Sequence, residues 1–140
     1  MGNEEKMPTE REWLLMEAIW DFEEKNEGAE EGITSTEILE RIRANNEMTV
    51  RTERVLMHHL VRKDLVGYTV DALDNRVYHY YSKKSKAECL KDKEQGFIDL
   101  YFQGNRVGAA ASFLRDAELS DKDIKELKKI LKQMKGKHSK

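Results

Sequence analysis

The sequence predicts a mostly α chain with a small β-hairpin, on three observations. Apolar residues recur at helical spacing through most of the 140 residues. A single proline, Pro8, leaves nearly every segment free to be helical. One interval, Leu65 to Tyr81, departs from the pattern, with two short β-branched and aromatic runs flanking an Asp74-Asn75 turn signal.

Residues 1–8 are acidic and polar and read as a disordered N-terminus. The first helix is TEREWLLMEAIWDFEEK, residues 9–25. Trp13, Met16 and Trp20, with Leu15, Ile19 and Phe22 beside them, form a broad apolar stripe. Thr9 is its expected N-cap, and Glu10 and Glu12 sit where the helix dipole favours acids. NEGAEEG, 26–32, is an acidic loop. In the second helix, ITSTEILERIRANN, Thr34 or Ser35 caps, Ile38, Leu39 and Ile42 face inward, and Asn45 and Asn46 stop the helix. Thr49 opens a third helix, TVRTERVLMHHLVRK. Leu65–Val70 and Val77–Tyr81 then make the hairpin around DALDNR. Three helices followed by a hairpin, over residues 9–81, is the order of a winged helix-turn-helix domain. From Ser82 to 135 the pattern is helical again. Gly104-Asn105 breaks a first segment, Val107–Arg115 is a short helix, and Ser120 caps a last one carrying Ile124, Leu127, Leu131 and Met134. Residues 136–140 read as a frayed tail.

The net charge of −2 hides an asymmetry. Residues 1–31 hold eleven acids and three bases, and the rest sixteen acids and twenty-two bases. A basic body suits a polyanion. No apolar run is long enough for a membrane span, the N-terminus is no signal peptide, and a lone cysteine, Cys89, excludes a disulfide framework. The expectation is a cytoplasmic protein.

The third helix concentrates positive charge: Arg51, Arg54, Arg62 and Lys63 against Glu53. At about 100° per residue, Arg51, Arg54, Val55, His58 and Arg62 share one side and Leu56, Met57 and Leu60 the other, with Thr52, His59 and Lys63 between. A helix packed by one face and basic on the other, second in a helix-turn-helix, suits the DNA major groove. Arg76, where the hairpin leaves its turn, is placed to reach phosphate or the minor groove. Glu53 breaks the pattern by pointing toward the apolar side.

EREWLLMEAIW, with Glu12, Trp13, Met16 and Trp20, resembles the first-helix motif of the penicillinase repressor family (the BlaI/MecI/CopY group of bacterial transcriptional repressors). TSTEILERI resembles its second helix, TVRTERVLMHHLVRKDLV its recognition helix and the turn into the wing, and VYHYYS the end of the wing. FIDLYFQGNRVGAAASF and LSDKDIKELKKIL are similar to its C-terminal dimerisation region. The resemblance spans residues 9–134. It implies a homodimer that represses transcription from a two-fold double-stranded DNA operator, with Arg51, Thr52 and Arg54 where the family's helix meets DNA. Glu53 stands at an apolar family position, His58 and His59 where Thr and Arg are frequent, and Asp64 at the usual glycine. Copper-responsive members carry a paired cysteine motif near the C-terminus, where Cys89 is alone. Others are cut by a sensor protease at an Asn-Phe bond, whose counterpart is Ser112-Phe113.

The expected DNA-binding set is therefore Arg51, Thr52, Arg54, Val55, His58, Arg62, Lys63 and Arg76. Leu90, Phe97, Ile98, Leu100, Tyr101, Phe113, Leu127, Leu131 and Met134 are too many apolar residues for a short tail to bury alone, and form the expected dimer interface. No catalytic motif, cofactor site or metal set is expected. A metal site from His79 and Cys89 is a minor alternative. So is a winged helix protein-interaction adaptor that does not read DNA, which the acidic residues 1–31 and Glu53 favour.

Overall fold

The computed structural model describes residues 6–138. It divides into two compact units, Met1–Phe97 and Ile98–Lys140. The first holds helices α1 (Glu10–Lys25), α2 (Ser35–Arg43) and α3 (Val50–Arg62), and strands β1 (Ile33–Thr34), β2 (Val66–Val70) and β3 (Tyr78–Ser82). Helix α4 (Lys86–Phe102) crosses the division, and the second unit adds α5 (Arg106–Arg115) and α6 (Asp121–His138).

The expected caps form. Thr9 and Glu12 make a reciprocal capping box on α1, as do Thr34 and Glu37 on α2, and Thr49 accepts the Thr52 amide on α3. Each satisfies donors that the first helical turn leaves unpaired. The apolar stripes become one core. Leu15, Met16 and Ile19 of α1 are fully buried with Ile38 of α2 and Leu60 of α3.

The sheet is antiparallel, in the order β1-β3-β2. Tyr68 pairs with Tyr80 and Val66 with Ser82 in the hairpin. Strand β1 was not expected, since Ile33 and Thr34 read as the entry to α2. Ile33 pairs instead with Tyr80 and Thr34 with His79. Gly32 allows this approach, because a Cβ there would strike the Tyr80 carbonyl.

Three boundaries differ from expectation. The division falls after Phe97 rather than at 82, because the start of α4 belongs to the first unit's packing. Cys89 is in the core, the Trp20 indole donates to the Lys84 carbonyl (3.0 Å), and Lys86 pairs with Glu17 (3.0 Å). Of the N-terminal segment expected to be disordered, residues 1–5 lie outside the described residues, whereas Met7 and Pro8 are buried. Helix α6 runs to His138, so residues 136–138 of the expected frayed tail are helical; 139–140 lie outside the described residues.

Glu12 holds the first unit together. It is 2% exposed. Its Oε1 accepts from the Thr9 amide (3.0 Å) and from Lys63 Nζ (2.6 Å), and Lys63 also donates to the Met7 carbonyl (3.1 Å). One carboxylate thus caps α1 and fixes the C-terminal end of α3. Asp64, next in the chain, has φ +62 and pairs with Lys83 (2.6 Å). That left-handed backbone turns the chain from α3 into β2 and explains why a glycine suits the position.

Lys63→Met is expected to lower stability by about 3 kcal/mol, since it strands the Glu12 carboxylate in the core. Urea denaturation of the two proteins measures the loss. An unchanged midpoint would show that Glu12 does not depend on Lys63.

Candidate nucleic-acid interface

Helices α2 and α3 form the helix-turn-helix. The Arg43 side chain locks the connection by donating to the Met48 carbonyl (2.9 Å), and Met48 is buried beneath it. The buried side of α3 carries Met57 and Leu60. Arg51, Arg54, Val55, His58 and Arg62 are exposed, as their spacing requires. Thr52 is half-buried and accepts from the Thr49 hydroxyl (3.0 Å), which fixes the start of this face.

Lys63 departs from the expected set. Its ammonium is held by Glu12 and Met7, so it acts in the fold and is withdrawn from the cations available to a polyanion. His59 Nδ1 lies 3.4 Å from the other Glu12 oxygen, on the same side. The signal in the sequence was position: Lys63 falls between the basic and apolar stripes.

The wing loop is ordered by Asp71 and Asp74. Asp71 Oδ2 accepts from the Leu73 and Asp74 amides, both at 3.0 Å. Arg76 forms a fork on Asp74 through Nε (3.1 Å) and Nη2 (3.2 Å). Its side chain is 87% exposed. An exposed pair of this kind is worth little and exchanges readily for another anion.

Beneath the wing, both nitrogens of His79 face acceptors: the Gly32 carbonyl (3.0 Å) and Asp71 Oδ1 (2.8 Å). The Asp71 hydrogen bond, then the Gly32 carbonyl, holds the imidazole pKa above its ordinary value. Glu31, Asp71 and His79 bring ligand atoms within 4.8 Å of one another. Cys89 is not in this group; it is buried in the core. The hydrogen bonds to Gly32 and Asp71 use both ring nitrogens, and Glu31 Oε2 lies 3.6 Å from Nε2.

Glu53 is 3% exposed, and its Oε2 is buried without a hydrogen-bond partner among the described residues. Burial pushes the carboxyl from its ordinary 4.5 to about 7, while Arg43 and Arg54 pull it down. It lines a cavity of about 340 Å³ together with Tyr68, Tyr78 and Tyr80. Tyr68 stacks on Tyr78 with centroids 4.7 Å apart, and Tyr80 lies 6.1 Å from Tyr68. Burial first, then the Glu53 charge, raises the Tyr80 hydroxyl pKa. Sequence reading missed this tyrosine wall, although Tyr78 and Tyr80 alternate onto one face of a strand.

In the second unit, Gln103 and Gly104 adopt left-handed backbone and end α4, and Asn105 caps α5 by accepting the Gly108 amide (2.9 Å). Ser120 and Asp123 make a reciprocal cap on α6. Phe102 and Phe113 meet edge to face at 6.2 Å. Of the expected interface residues, Ile98 is buried and Leu127 half-buried. Leu90, Phe97, Leu100, Tyr101, Phe113, Leu131 and Met134 are exposed, Leu131 by 63% and Met134 by 53%.

A family model described as penicillinase repressor matches residues 8–133. The methicillin resistance regulatory protein MecI of Mammaliicoccus sciuri is 24% identical over 131 residues, covering 94% of this chain and 98% of that protein. A penicillinase repressor of Staphylococcus aureus is 24% identical over 132 residues, covering 94% and 95%. A crystal structure of the S. aureus MepR–DNA complex superposes with a TM-score of 0.44 at 19% identity, over 92% of this chain and 79% of that one.

The raised Glu53 pKa sets a pH dependence. The folded protein keeps this proton to about pH 7, whereas the unfolded chain releases it near 4.5. Stability therefore falls as pH rises between those values, with a Glu53 share of about 3 kcal/mol. Glu53→Leu is expected to be more stable than the parent at pH 8 and to lose that share of the slope. Urea denaturation at pH 5 and pH 8 checks it; parallel pH profiles would contradict it.

Proposed function

This chain belongs to the penicillinase repressor family, and we propose that it is a homodimeric, sequence-specific DNA-binding transcriptional repressor. The observation that carries the reading is the basic face of α3. Arg51, Arg54, His58 and Arg62 stand exposed on the second helix of a helix-turn-helix whose opposite side is core. In this reading α3 enters the major groove. The arginines pair with guanine edges, the Thr52 and Val55 methyls meet thymine methyls, and Arg76 leaves Asp74 for a phosphate or the minor groove. Lys63 is left out because Glu12 holds it. No helix among the described residues is long and apolar enough to cross a membrane, and the place of action proposed is the cytoplasm.

The second unit is the proposed dimer seam. Helix α6 exposes Leu131 and Met134, and α4 exposes Leu100. Pairing two copies about a two-fold axis covers such residues and sets two recognition helices about 34 Å apart, one DNA turn. By resemblance the counterpart of the family's protease-cut bond is Ser112-Phe113, with Ser112 in place of the Asn. That bond lies within α5, which must unwind before it can be cut. The adaptor alternative loses one support, because Glu53 is buried rather than displayed.

Arg54→Ala is expected to cost about 1–3 kcal/mol on the preferred duplex and little on random DNA. Arg76→Ala should weaken both alike and reduce the salt slope by about 1. Fluorescence anisotropy against salt separates the two, and parent-like affinity in both variants would sink the contact assignment. The double variant Leu131→Glu, Met134→Glu is expected to be a monomer by light scattering at micromolar concentration. A monomeric parent would contradict the seam.

A further inference from the structure

The Glu53 cavity is more than a packing fault under α3. It is about 340 Å³, at the small end of the range of roughly 300–1,000 Å³ for ligand pockets. One wall is aromatic, from Tyr68, Tyr78 and Tyr80; the other is α3, with Met57 and Val61. Ser35 closes an edge. The Glu53 carboxylate lines it, with Oε2 buried and without a partner among the described residues. A carboxylate oxygen removed from water and given no donor is costly.

We propose that this cavity binds a small aromatic amidine or amine, whose N–H donors meet Glu53 and whose ring lies against the tyrosines. Tyrosine faces attract organic cations, and a buried acceptor supplies direction. The opposite charge does not fit: an aromatic carboxylate drawn by Arg54 would bring its own anion against Glu53. Arg54 and His58 also line the cavity. They belong to the face assigned above to DNA, so occupancy competes with DNA; that second step rests on the proposed function, whereas binding itself does not.

The test is calorimetric titration of the full chain at pH 8, where Glu53 has lost its proton, with benzamidine, and separately with benzoate, in the absence of DNA. Saturable millimolar binding of benzamidine is expected, with benzoate silent. Glu53→Gln keeps the shape and should weaken binding at least tenfold. Tyr78→Ala, at an exposed ring on β3, should weaken it as well. Equal binding by parent and Glu53→Gln, equal binding of benzoate, or no binding at all overturns the site. Repeating the titration with duplex DNA present should lower the apparent benzamidine affinity in the parent. Unchanged affinity with DNA bound would uphold the site and overturn the competition. Because the first titration contains no DNA, failure of the DNA-binding reading leaves its result intact.

Discussion

The buried contact between Glu12 and Lys63 is the constraint on which the first unit depends. A carboxylate that is 2% exposed costs stability unless it is paired. Glu12 finds its partners on two elements: the Thr9 amide at the start of α1 and the Lys63 ammonium at the end of α3. Lys63 in turn takes the Met7 carbonyl and so secures the segment before α1. Rotating α3 about its axis would break this pair. The direction in which Arg51, Arg54, His58 and Arg62 point is therefore fixed by an acid on another helix as well as by their own spacing.

The wing is held by similar means. His79 joins the Gly32 carbonyl of the acidic loop to Asp71 of the wing loop, and Asp71 orders the turn that carries Arg76. The polar side chains of this unit thus act mainly as ties between segments. Glu53 is the exception. It is buried without a partner for Oε2 among the described residues, beside three tyrosines, and Arg43 and Arg54 lower the pKa that its burial raises.

What the sequence disclosed was local. Helix caps depend on residues three apart, so Thr9, Thr34, Thr49 and Ser120 were legible. So were the two faces of α3 and the hairpin, since each follows from a period. What it concealed was long-range. Strand β1 is two residues long and owes its pairing to Tyr80 and His79. The partner of Lys63 lies 51 residues away. Asp64 stands where the resemblance implies a glycine, and only the fold gives the reason, a positive φ. Glu53 was visible as a break in the pattern, yet only the fold revealed the cavity it faces.

Selection of bound sites from a random pool of duplex DNA tests the central claim most directly. An exposed basic face on α3, repeated by a two-fold axis, predicts an enriched palindrome with half-sites about one turn apart, favoured about 10³-fold or more over random DNA. Enrichment of no sequence, with binding that merely falls as salt rises, would mean that the arginines of α3 meet phosphates and read nothing.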